Sequence, residues 1–176
     1  PYTVVRIVSL IFLLINIPIT VFADSPLLDA SSKGDVKTVQ KLLQEGASLD
    51  ETDASGNTAL MKAVAAGKYK VAKLLLDNKA DIETGNRYGD TPLIEASRNG
   101  NIKIVKLLVK YGSIVNSKND IGITPLIAAS QAGRARVAGF LIDEGAPVDD
   151  RDGSNNTALY HAVKGGHVEA VRTLLK

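Results

Sequence analysis

Thr58, Thr91, Thr124 and Thr157 are each 33 residues apart, and this period constrains the chain more than any other feature. Leu27, Leu60, Leu93, Leu126 and Leu159 keep the same step. So do Ala30, Ala63, Ala96, Ala129 and Ala162, and Gly34, Gly67, Gly100, Gly133 and Gly166. The apolar pairs Leu42-Leu43, Leu75-Leu76, Leu108-Val109, Leu141-Ile142 and Leu174-Leu175 follow in phase. A fixed period of roughly 20–50 residues marks a stack of repeated units, none able to bury its apolar face alone. The boundaries fall at 24–52, 53–85, 86–118, 119–151 and an incomplete 152–176, four and a half to five units.

Each unit reads as two helices and a loop. Ser25 and the four threonines are N-cap residues, and Pro26, Pro92 and Pro125 take the first helical position, where a missing N–H costs nothing. The first helix should end at the in-phase glycine, in a left-handed C-cap. A second helix shows apolar residues at helical spacing, as in Ile104, Leu107, Leu108 and Tyr111. It should end at Gly46, Gly112 and Gly145, whereas Lys79 stands at that place in the second unit. A side chain in the left-handed region costs roughly 1–2 kcal/mol, so that loop is expected to be the least stable. The loop glycines Gly56, Gly89 and Gly122 become Asn155 in the last unit, a mild change because Asn tolerates positive φ.

Thr91-Pro-Leu-Ile-Glu-Ala96 and Thr124-Pro-Leu-Ile-Ala-Ala129, with the period, resemble the Thr-Pro-Leu-His-x-Ala signature of the ankyrin-repeat family. Thr58-Ala-Leu-Met-Lys-Ala63 and Thr157-Ala-Leu-Tyr-His-Ala162 are looser, and Ser25-Pro-Leu-Leu-Asp-Ala30 resembles a capping unit. The resemblance implies an all-α solenoid of stacked helix–turn–helix units joined by hairpin-like loops. The signature His is missing throughout, replaced by Leu28, Met61, Ile94, Ile127 and Tyr160, which should substitute apolar packing for a hydrogen bond.

The chain holds no Cys and no Trp, and its 21 Lys and Arg nearly balance 19 Asp and Glu, for a net charge of +2. A disulfide framework and Cys-ligated metals or nucleophiles are excluded. The near-balanced charge argues against a nucleic-acid binder. No nucleophile elbow, phosphate loop, dinucleotide fingerprint or His-Glu-x-x-His pair is present. His161 and His167 read as ordinary surface or loop histidines. The acidic run from Asp149 to Asn155 lacks calcium-loop spacing and reads as a solvated loop. Asn155-Asn156-Thr157 is a formal glycosylation acceptor whose Thr is already the helix cap. No catalytic residue, metal or cofactor is expected, and the chain is not read as an enzyme.

Residues 1–23 differ from the rest. Arg6 precedes the apolar run from Ile7 to Ile15, then come Asn16, Pro18 and Val21-Phe-Ala23. This is the layout of a secretory signal, with cleavage expected after Ala23. The alternative is an uncleaved anchor over residues 7–23, the only route to a membrane that the sequence offers. An exported, periplasmic or secreted location follows as the expectation. The leader on such an array also resembles bacterial exported ankyrin proteins. Pro1 stands where a Met would begin the chain, and the sequence stops at Lys176 within a second helix, so further residues are expected at both ends.

The resemblance implies a protein-binding module that uses loop tips and first-helix residues along a concave face. The units on either side of the middle two offer small or polar groups there, such as Ser55 and Ala65-Ala66, and Ser154. The middle two offer Arg87, Tyr88, Asp90, Arg98 and Asn99, then Asp120, Ile121, Ile123 and Gln131. Arg and Tyr beside exposed apolar groups form the kind of anchor set on which interface energy concentrates. The function expected is a scaffold for another protein, acting as a monomer. A host-directed effector using the same face and the binding part of a longer enzyme or toxin are the alternatives.

Overall fold

The computed structural model describes residues 25–176, so the leader reading of residues 1–23 lies outside the described residues. Ten helices follow in chain order: α1 (Pro26–Lys33), α2 (Val36–Gln44), α3 (Ala59–Ala65), α4 (Tyr69–Asp77), α5 (Pro92–Asn99), α6 (Ile102–Lys110), α7 (Pro125–Gln131), α8 (Ala135–Asp143), α9 (Ala158–Lys164) and α10 (Val168–Leu174). One helix pair falls in each 33-residue unit. First helices pack on the first helices of neighbouring units, and second helices on second helices, in one continuous stack. No helix among the described residues is long and apolar enough to cross a membrane.

The caps form as their residue types dictate. The side chains of Thr58, Thr91, Thr124 and Thr157 accept from the backbone N–H groups of Met61, Ile94, Ile127 and Tyr160. Ser25 departs from this: it occupies the N-cap of α1, but its hydroxyl makes no cap bond. Pro26, Pro92 and Pro125 stand in the first turns of α1, α5 and α7. Gly34, Gly67, Gly100, Gly133 and Gly166 all have φ between 68° and 81°. Space as well as φ keeps some of them glycine. A Cβ on Gly133 would lie 2.6 Å from the His167 ring, and one on Gly100 would lie 2.6 Å from the Arg134 side chain.

The core is one cluster running the length of the stack, from Leu27 and Leu28 to Ala170 and Leu174. The in-phase alanines Ala63, Ala96, Ala129 and Ala162 are fully buried, where small side chains let first helices approach closely. Leu28, Met61, Ile94 and Ile127 are buried too, so apolar packing does take the place of the signature His. Tyr160, in the same column, stays 47% exposed because no described unit follows it.

Lys79 sits at φ 65° and Asn155 at φ 65°, the two positive-φ residues that are not glycine among the described residues. Asn155 lies in a loop where its side chain is suited to that region, whereas Lys79 has no such compensation. Replacing Lys79 with Gly removes the clash of Cβ with the backbone. Lys79→Gly is expected to raise stability by about 1 kcal/mol, read as a higher urea midpoint at unchanged slope. An unchanged or lower midpoint would show that the φ strain has been relieved elsewhere.

Candidate protein-binding face

Each loop begins with an Asp or Asn in phase: Asp53, Asn86, Asn119 and Asp152. In every case the side-chain oxygen accepts two backbone N–H groups, from the residues two and four positions on. Asp53 takes those of Ser55 and Asn57, and Asn86 those of Tyr88 and Asp90. Asn119 takes those of Ile121 and Ile123, and Asp152 those of Ser154 and Asn156. A short side chain acting on its own backbone two residues on is the Asx turn, and it closes the loop together with a backbone bond from each Asp or Asn N–H to the carbonyl four residues on. Gly56, Gly89, Gly122 and Asn155 complete the reversal at positive φ.

Neighbouring loops are then joined by backbone and side chain. Arg87 N–H donates to the Ser55 carbonyl at 3.0 Å, Asp120 N–H to that of Tyr88 at 3.2 Å, and Gly153 N–H to that of Ile121 at 2.8 Å. Beneath this ladder the Asn86 amide donates to Asn57 Oδ1 at 3.2 Å, and the Asn119 amide to Asp90 Oδ1 at 2.7 Å. The side-chain relay stops at the next step, where Ile123 offers no acceptor and Asp152 no donor.

Where the loop opens with a carboxylate, a nitrogen-bearing side chain from the first helix nine residues on meets it. Lys62 Nζ lies 3.1 Å from Asp53 Oδ2, and His161 Nε2 lies 2.7 Å from Asp152 Oδ2. Where it opens with an amide, the same column holds Glu95 or Ala128. Burial raises the Asp53 pKa, but the bonds from the Asn57 backbone and side chain, from Lys62 and from the Ser55 backbone outweigh it and bring the pKa to about 2. Asp152 is lowered in the same way: burial opposes, while the Asn156 backbone, His161 and the Ser154 backbone prevail. His161 is therefore a half-buried partner of a loop carboxylate. His167 reaches back to the Gln131 carbonyl at 3.0 Å.

The structure separates the sequence-predicted residues into two groups. Arg87, Tyr88, Asn99, Asp120, Ile121 and Gln131 are exposed on the loop tips and at the first-helix ends. Tyr88 (68% exposed) and Ile121 (67%) occupy the same place in adjacent loops, and each has its carbonyl held in the ladder. Ile123 is corrected: at 5% exposure it belongs to the core and cannot touch a partner. It stands two residues past Ile121, with its N–H held by Asn119, and the loop path turns it inward. Asp90 is buried as well, gripped by Arg98 Nη1 at 2.8 Å and by Asn119. Arg98 also reaches Glu95 at 3.0 Å, so it is half-exposed and held by two carboxylates.

Beside Tyr88 lies a depression of about 510 Å³ that Met61, Ala65, Ala66, Tyr88, Glu95 and Arg98 help to line. It exists because Ala65-Ala66 are small where the following unit carries Arg98-Asn99. Sequence reasoning passed over the second unit for offering only small groups, but small groups make the hole. The signal was present: a column reading Ser32, Ala65, Arg98, Gln131, Lys164 dips at one step. Among the described residues no group of three or more His, Cys, Asp or Glu is placed to hold a metal ion.

Because the Asp53 carboxylate has a lower pKa folded than unfolded, its contribution is present above about pH 4 and fades as pH falls toward 2. Asp53→Asn, which removes the charge but keeps the oxygen that closes the loop, is expected to be less stable than wild type at pH 7 and to converge with it near pH 2. Denaturation series at the two pH values check this, and a constant difference would show that the carboxylate charge contributes nothing.

Comparison with curated proteins gives no match. A family model described as ankyrin repeats (3 copies) matches residues 27–119 and 112–176, nearly the whole described stack. With the Thr-capped helix pairs and the loops projecting from one edge, that match shows that the chain belongs to the ankyrin-repeat family.

Proposed function

We propose that the chain is a non-catalytic scaffold that grips a partner protein on its loop-tip and first-helix face, between the second and fourth units. Ankyrin repeats generally bind other proteins, and proteins built from them are generally non-catalytic. One observation carries the choice of face: Tyr88 and Ile121, two large exposed side chains at equivalent places in adjacent loops, are strapped together by the inter-loop ladder. A rigid aromatic–aliphatic pair loses little conformational freedom on binding. The depression beside Tyr88 gives a partner side chain a place to enter, with Arg98 and Glu95 at its rim.

Capture from extract with the immobilised protein tests this. Wild type should retain a protein partner that Tyr88→Ala/Ile121→Ser loses by at least about tenfold, the usual cost of removing two anchors. Circular dichroism must show both folded. Equal retention would place the binding surface elsewhere.

The segment from Arg6 to Ala23 supports export as part of the same proposal. Protein recovered from the periplasmic or external fraction should begin at Asp24. Recovery only from the membrane fraction, with residues 7–23 intact, would replace cleavage by anchoring.

A further inference from the structure

We infer that the opposite edge of the stack, where first helices turn into second helices, docks an acidic polypeptide segment of a partner. In taking the occupant to be a protein this rests on the scaffold reading, but it concerns a different surface. The net charge of +2 conceals a sorting of charge in phase with the repeat. Residues 32–41, 65–74, 98–107, 131–140 and 164–173 hold thirteen Lys and Arg against two Asp and Glu, although Arg98 turns back to Asp90 and Glu95. The remaining described residues hold seven against sixteen. The stacking places all five basic segments along one edge and the loops along the other.

Lys37, Lys70, Lys103 and Arg136 form a column at the second residue of α2, α4, α6 and α8, all four exposed, and Glu169 ends it at the same place in α10. Lys33, Lys41 and Lys73 are partly neutralised by acids one turn away. Lys70, Lys103 and Arg136 make no ion pair among the described residues. Opposed helix ends meet at this edge, so their terminal partial charges offset and the side chains set the sign. The acidic loops are one first helix away, roughly 12 Å, which exceeds a Debye length of about 8 Å at physiological salt. The loop charge therefore does not cancel the field at the ridge. A shallow depression of about 260 Å³ opens there beside Gly100, Gly133, Arg134 and Arg136. Arg134 Nε is committed to the Arg98 carbonyl at 3.0 Å, which fixes the side chain and leaves its terminal nitrogens for a carboxylate.

The form of the ridge favours an extended acidic chain over other polyanions. Units stacked at roughly 10 Å present a new cation at every third residue of an extended strand rising about 3.3 Å per residue. Tyr69, 41% exposed, is the one large aromatic ring exposed along the described ridge, so bases would find no stacking platform.

The test uses a labelled oligoglutamate of about fifteen residues, long enough to cross four units. It is compared with phosphatidylglycerol-containing vesicles and a short DNA duplex at equal charge concentration. Wild type should bind the oligoglutamate most tightly and lose it on adding salt. Lys70→Gln/Lys103→Gln/Arg136→Gln should weaken binding about tenfold, while Lys110→Gln/Lys118→Gln/Lys176→Gln, an equal loss of charge off the ridge, should change it less than about twofold. Tyr88→Ala/Ile121→Ser should bind oligoglutamate as wild type does, which separates this surface from the loop face. Absent binding, equal loss in both Gln variants, or tighter binding to vesicles or duplex would each overturn the proposal.

Discussion

The Asx turn that opens each loop is the interaction on which the rest depends. One side-chain oxygen holds two backbone N–H groups, so each loop is closed from within. Closed loops leave the next N–H and carbonyl free to bond to the neighbouring loop, and the ladder follows. Helices set the spacing of the stack, but the loops have no sheet around them to satisfy their backbone. Without the Asx side chain, those donors would turn to water and the loop tips would lose a fixed direction.

The proposed binding face and the stability of the loops rest on the same atoms. Tyr88 and Ile121 are presented as a pair because their carbonyls are rungs of the ladder. Asp90 and Ile123 lie directly beneath and hold the loops up, one as a member of a polar relay and the other as core. Residue type alone does not set the direction: Ile121 is exposed at the loop tip, whereas Ile123, two residues on, lies in the core. Carboxylates at Asp53 and Asp152 hold Lys62 and His161, so these first-helix side chains are committed to loop closure.

Much of this fold was legible because its signals are single residues with single causes. Thr before an apolar helix start, Pro at the first turn and Gly at positive φ each have one physical reading, repeated at four, three and five places. Ser25 shows the limit, since its type suits a cap and its hydroxyl makes no cap bond. The site was harder to read for reasons that lie in three dimensions. Ile123 looks as available as Ile121 until the backbone path is known. The depression beside Tyr88 is made by atoms that Ala65 and Ala66 lack, and a search for large anchoring side chains passes over it. The basic ridge was hidden by a near-balanced total and becomes visible only when the turns are known to share an edge.

The account rests on the loop ladder being a persistent structure that fixes Tyr88 and Ile121. Amide hydrogen exchange resolved to single residues at Arg87, Asp120 and Gly153 tests it most directly, because each of these N–H groups is a rung between units. The account predicts that all three exchange as slowly as the interior amides of α5 and α7, opening only when the units separate. Exchange at the rate of free loop amides, with the helices still protected, would contradict it: the loops would then be independent tips, and the face they present would not be preformed.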